Sequence, residues 1–153
     1  MFRKLRIRFI LIASVAVTGI LFFLVGALNS VRFLQTTGEI QAVLNILSDN
    51  RGEFPSVQAT AQALDNDHIS IDTIYQYRYY SAVFNEDGTV YSSNLNNISN
   101  LSKEQALKSA KSVVKQQRKN GIFTIGSQYY SYQVTWDAKT KRYLAVVLDS
   151  TKY

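Results

Sequence analysis

The chain opens on a run with almost no polar positions, passes into a helical period of three to four, and ends in alternation with a period of two. From Phe9 to Leu28, FILIASVAVTGILFFLVGAL, twenty residues carry no charge, and Ser14 and Thr18 are the most polar among them. At about 1.5 Å of rise per residue such a helix spans about 30 Å, the hydrocarbon thickness of a bilayer. A helix satisfies its own backbone there without water, so the run predicts a membrane-spanning helix. A cleaved secretory signal would have a shorter apolar region and a small-x-small site, which Gly26-Ala27-Leu28-Asn29-Ser30 matches poorly. Beyond it, from Asn29 to Ser48, Val31, Leu34, Ile40, Val43, Leu44 and Leu47 recur at close to helical spacing and no proline intervenes. The span is therefore expected to continue into a long membrane-proximal helix that ends at Asp49-Asn50-Arg51-Gly52. Gly38 costs about 1 kcal/mol relative to alanine and suggests a bend or a close approach. The stripe has two equal readings, pairing with a second copy or packing on its own domain.

Glu53 to Thr73, with the single proline Pro55, reads as a short helix and a loop. Tyr75 to Phe84 is aromatic and β-rich, Asn85-Glu86-Asp87-Gly88 is a turn, and Thr89 to Ser93 resumes the strand, which together predict a hairpin. After a polar loop from Leu95 to Asn100, Ser102 and Gln105 have the spacing of a capping box. The helix they open, Ser102 to Lys119, gathers Ala106, Leu107, Ala110, Val113 and Val114 on one face and is expected to stop at Asn120-Gly121. Three strands follow, Ile122 to Ile125, Gln128 to Trp136 and Arg142 to Leu148. In the second of them Tyr130, Tyr132, Val134 and Trp136 alternate with Tyr129, Ser131, Gln133 and Thr135. The predicted class is α+β: a transmembrane helix continuing into a long helix, then a five-stranded antiparallel sheet in the order helix, β, β, helix, β, β, β. The helix between the strand groups lies over one face of the sheet. The expected divisions are 1–8, a basic cytoplasmic N-terminus; 9–28, the span; 29–48, the membrane-proximal helix; and 49–153, an extracytoplasmic domain.

Charge orients this arrangement. Arg3, Lys4, Arg6 and Arg8 precede the span without an acidic residue, which predicts a cytoplasmic N-terminus and a domain outside the cell membrane. The formal charge of +6 shrinks once these are set aside, since four of the 17 basic residues lie before the span and the remaining 13 face 11 acidic ones. That balance argues against nucleic acid as a partner. Cysteine is absent, so disulfides and thiolate metal sites are excluded. His68, the sole histidine, sits with Asp65 and Asp67 in a polar stretch that reads as loop chemistry rather than a metal site or pH sensor. Lys108, Lys111, Lys115 and Arg118 form a basic stripe best read as a solvated helix face. Asn97-Ile98-Ser99 and Asn100-Leu101-Ser102 match the glycosylation pattern at the level of chance in so Asn/Ser-rich a loop. Glu53, Asp65, Asp67, Asp72 and Asp149 are scattered acids with no nucleophile and base spacing beside them, and the seven glycines form no phosphate loop. No catalytic residues, metal or cofactor are expected.

The basic N-terminus, the span, the membrane-proximal helix, Arg78-Tyr79-Tyr80-Ser81-Ala82-Val83-Phe84-Asn85-Glu86-Asp87-Gly88-Thr89-Val90, an amphipathic helix and a closing strand ending Val147-Leu148-Asp149 resemble the front end of a bacterial sensor histidine kinase of the Firmicutes type. The resemblance implies a PAS-like extracytoplasmic domain between two membrane helices. It also implies a second span after Tyr153, then the phosphoaccepting and ATP-binding domains, none of which lies within these residues. The implied function is sensory input to a two-component system: a small molecule or protein signal outside biases a helix pair in the membrane. A homodimer through the anchor and the membrane-proximal helix is the expected assembly. The expected ligand surface is the sheet face left bare by the Ser102 to Lys119 helix, where Arg78 would fix an anion and Tyr75, Tyr77, Tyr79, Tyr130 and Tyr132 would supply walls with polar tips. Taken one at a time, each of these tyrosines is better read as core. The alternative function is a stand-alone membrane-anchored adaptor or structural protein.

Overall fold

The structure, a computed structural model, describes residues 2–65 and 75–152. Asp67 and His68 of the polar cluster lie outside the described residues. Two compact units are present, Met1–Thr37 and Gly38–Tyr153. The first is helix throughout its described length, and its apolar side chains are exposed, Phe22 and Phe23 each at 76%. This is a helix long and apolar enough to cross a membrane, and exposed apolar surface of that extent is unfavourable in water.

Helix α1 runs from Phe2 to Asp49 as one element, so the predicted span and membrane-proximal helix are continuous. Gly38 neither ends it nor meets a close neighbour among the described residues, since a Cβ built there has nothing within 4 Å. The stripe divides instead. Val31 and Leu34 are exposed, whereas Val43, Leu44 and Leu47 are buried and Ile40 is partly so. The end of α1 is a sharp reversal: Arg51 and Gly52 take φ of 60° and 89°, the Gly52 amide donates to the Leu47 carbonyl at 2.6 Å and the Arg51 amide to Ser48 at 3.4 Å.

Five antiparallel strands form an open sheet in the order β2-β1-β5-β4-β3, namely β1 (Tyr79–Asn85), β2 (Val90–Asn94), β3 (Asn120–Ile125), β4 (Gln128–Asp137) and β5 (Arg142–Asp149). A short helix, α2 (Val57–Asp65), precedes them, in the region read as helix and loop. Two boundaries differ from the sequence reading by four residues. β1 begins at Tyr79 rather than Tyr75, because its partner β5 ends at Asp149, whose amide makes the last ladder bond, to the Arg78 carbonyl at 2.8 Å. Tyr75 and Gln76 form a turn instead. Helix α3 (Lys103–Lys115) ends before Lys119, since Gln117 adopts φ 53° and the Lys119 carbonyl already accepts the Val134 amide at 2.7 Å. Asn120-Gly121 therefore opens β3 rather than stopping the helix, and Gly121 leaves room for the ring of Tyr132, which lies 2.9 Å from where a Cβ would stand.

The start of α3 follows expectation. Ser102 Oγ accepts the Gln105 amide at 3.2 Å and the Ser102 amide donates to Gln105 Oε1 at 3.1 Å, the reciprocal pair of a capping box. Strand parity then sorts the core into two layers. Tyr80, Ala82, Phe84, Tyr130, Tyr132, Ala145 and Val147 meet Ala106, Ala110 and Val113 of α3 on one face. On the opposite face Tyr77, Tyr79, Val146 and Leu148 meet Val43, Leu44 and Leu47 of α1. The face expected to be bare is thus covered along part of its area by the end of α1.

Candidate functional site

Alternation along β1 sends Tyr80 under α3 and Tyr79 to the α1 face, and the residues just before the strand carry Tyr77 to that same side. Tyr75, Tyr77 and Tyr79 line a cavity of about 240 Å³ together with Phe54, Pro55, Thr60 and Asn97. Three physical features shape it. The ring of Phe54 stands edge-on to Tyr79 at 5.2 Å and 86°, and lies 6.4 Å from Tyr77, so the wall is a packed aromatic cluster. Tyr77 and Tyr79 are almost fully buried while Tyr75, 74% exposed, stands at the mouth. Thr60 is buried with its hydroxyl donating to the Pro55 and Ser56 carbonyls at 3.1 and 3.0 Å, which ties α2 to the Phe54-Pro55 wall.

The polar tips point to the helix. The Tyr77 hydroxyl donates to the carboxylate of Glu39, on α1 just after Gly38. Burial raises the Tyr79 phenol above its ordinary value, with a backbone hydrogen bond at Phe54 opposing and the Glu53 carboxylate adding to the rise. Tyr79 thus stays a neutral phenol at physiological pH. Glu53 is in turn held by Asn94, whose Nδ2 donates to its Oε1 at 2.8 Å. What the site offers is aromatic surface with neutral hydroxyl and amide tips and two carboxylates behind it.

Of the six residues proposed from sequence, these three are brought together and three are not. Tyr130 and Tyr132 lie beneath α3, where Tyr130 stacks on Phe123 at 5.4 Å and 19° and Tyr132 lies 6.1 Å from the same ring. The Tyr130 hydroxyl donates to Gln128 at 2.8 Å and accepts from Asn100 Nδ2 at 3.2 Å, and that amide also donates to Asp149 at 3.0 Å. These two tyrosines are core. Arg78 is exposed and is not among the residues lining the cavity. Phe54, Thr60, Asn97 and Glu39 were not anticipated. Phe54-Pro55 was visible only as a lone proline in a loop, and nothing in the sequence places Glu39 opposite a tyrosine 38 residues away.

A wider opening of about 670 Å³ lies beside the second half of β4, between Gln41 and Asn45 of α1 and the residues after α3. Its amides already serve one another, since Gln41 Nε2 donates to Gln133 at 2.8 Å and to Asn45 at 3.2 Å. Among the described residues no three acidic or histidine side chains converge as a metal set would require. Comparison of the chain with known protein families, with characterised proteins and with solved structures gives no match.

Proposed function

We propose that the chain is the sensory input module of a two-component histidine kinase of the kind its sequence resembles, with a PAS-like domain that takes its signal at the tyrosine pocket. The observation that carries this reading is the bond from Tyr77 to Glu39. One partner walls the pocket and the other belongs to the helix whose earlier turns are the apolar span. A ligand that moves the Tyr77 ring changes a hydrogen bond to that helix, and it biases the helix only to the extent that it binds one arrangement better than another. The five-stranded antiparallel sheet with helices against both faces supports the PAS-like reading. The basic cluster before the span supports a cytoplasmic N-terminus and a domain outside, and exposed Val31 and Leu34 suit a dimer seam.

Because the chain has no cysteine, one introduced thiol reports without background. Leu34→Cys in the full chain, reconstituted in lipid vesicles, should form a disulfide-linked dimer. A compound found by thermal shift to occupy the pocket should change the rate of that cross-link, and Tyr77→Phe should abolish the change while preserving binding. A cross-link rate indifferent to every pocket ligand, or no dimer at any position from 29 to 37, would instead favour the anchored adaptor.

A further inference from the structure

A third cavity, of about 440 Å³, lies on the same sheet face as the tyrosine pocket, next to the α1 terminus. We propose that it binds a small oxyanion, with a carboxylate or phosphate head held by Arg51 and Arg142 and any apolar body resting on Val83 and Leu144. The inference stands independently of the tyrosine pocket and of the signalling role.

Four observations converge on an anion. Both arginines line the cavity, against a single carboxylate, Asp137. That carboxylate is engaged in its own turn, Oδ1 accepting the Lys139 amide at 2.9 Å and Oδ2 the Thr140 hydroxyl at 2.8 Å. The Arg142 guanidinium is already set in place: it lies 3.4 Å over the ring of Tyr91, and its Nε donates to Asn85 Oδ1 at 3.3 Å. The fork carries its other donors on the two terminal nitrogens, and no described residue takes them. A cation held by a ring face and one hydrogen bond loses little freedom when an oxyanion docks, which is the geometry that makes arginine pairs strong.

The third observation is Ser48. It lines this cavity at 9% exposure, and its buried hydroxyl has no hydrogen-bond partner among the described residues. Buried hydroxyls are nearly always satisfied, so this one, on a residue that lines the cavity with the two arginines, is a donor in need of an acceptor. The fourth removes an objection. A helix C-terminus repels anions through its bare carbonyls, but those of Ile46, Leu47 and Ser48 accept the amides of Asn50, Gly52 and Arg51 at 3.1, 2.6 and 3.4 Å. An oxyanion here would bridge the end of α1, through Arg51 and Ser48, to β5 through Arg142.

The test is calorimetric titration and thermal shift on the full chain in lipid nanodiscs, using inorganic phosphate, butyrate and, as a cation of similar length, butylammonium. Saturable binding of phosphate or butyrate at millimolar concentration, without binding of butylammonium, is expected, and the two anion arms decide which head is preferred. Arg142→Gln and Arg51→Gln should each weaken binding by roughly tenfold or more, the range for a lost charge-assisted hydrogen bond. Ser48→Ala should leave the melting temperature of the unliganded protein unchanged or higher while weakening the anion severalfold, a split that a purely structural serine would not show. Arg51 is exposed, so its variant carries the test even where Arg142→Gln disturbs folding. Absence of saturable binding by both anions, equal binding of butylammonium, or undiminished binding in Arg51→Gln would overturn the proposal.

Discussion

Gly52 is the residue on which the junction of helix and sheet turns. Its φ of 89° favours glycine, and a Cβ there would stand 2.5 Å from the Cβ of Ser81. Gly126, at φ 62°, has the same backbone demand with nothing within 4 Å. Gly126→Ala should therefore cost about 1 kcal/mol, and Gly52→Ala more, up to about 3 kcal/mol, by urea denaturation of the folded domain. Tyr80 makes a different kind of prediction. It is fully buried beneath α3 with its hydroxyl 2.6 Å from Ser109 Oγ, and burial raises its phenol well above the ordinary value near 10, with the Ser109 bond opposing. Tyr79 and Tyr130 are raised as well, each chiefly by burial. The unfolded chain then releases these protons first, so the stability is fully present below about pH 10 and is lost as pH rises above it. Tyr80→Phe should cost about 1 kcal/mol at neutral pH and make the alkaline decline shallower, as read from melting temperatures across the pH range.

At the scale of elements, α1 carries an exposed apolar run and a buried one on a single helical backbone. Its apolar residues before Gly38 are exposed, while Val43, Leu44 and Leu47 fill the layer against Val146 and Leu148. Identical chemistry at different turns should therefore have different consequences. Leu44→Ala and Leu47→Ala are each expected to lower the stability of the folded domain by about 2–5 kcal/mol, the cost of an emptied core site. Leu34→Ala, at an exposed position, should leave the domain's unfolding free energy within about 0.5 kcal/mol of its starting value. The sheet shows the same dependence on neighbours, since β1 starts where β5 supplies a partner and α3 stops where the chain joins β4.

At the scale of the molecule, the exposed apolar run belongs to one compact unit and both core layers to the other. A chain comprising residues 38–153 retains every buried residue of the two layers, so it should be soluble without detergent and melt in one cooperative transition. On the proposed seam it should also be monomeric by light scattering, whereas the full chain in nanodiscs should cross-link as a dimer. Both the entering helix at Glu39 and the closing residues at Asp149 lie beside the segment before β1, through the Tyr77 hydroxyl and the Arg78 carbonyl. That shared end gives the pocket its proximity to α1.

Periodicity and local chemistry were enough for the elements, because they depend on residues a few positions apart. The apolar run, the helical stripe, the Asn85 to Gly88 turn, the Ser102 box and the tyrosine alternation of β4 are all local, and the α+β class with its five antiparallel strands follows from them. The strand order β2-β1-β5-β4-β3, the division of α1's stripe and the limits of β1 and α3 are set by pairing partners far along the chain, which no window contains. The candidate site shows the limit most clearly. Sequence named tyrosines, and parity alone separates Tyr79 from Tyr80. Only packing decides that Tyr130 and Tyr132 are core beneath α3, that Tyr77 reaches Glu39, and that Arg51 and Arg142, rather than Arg78, share a cavity. Burial and convergence arise when elements are laid against one another, and a one-dimensional pattern carries the faces but not which face meets which.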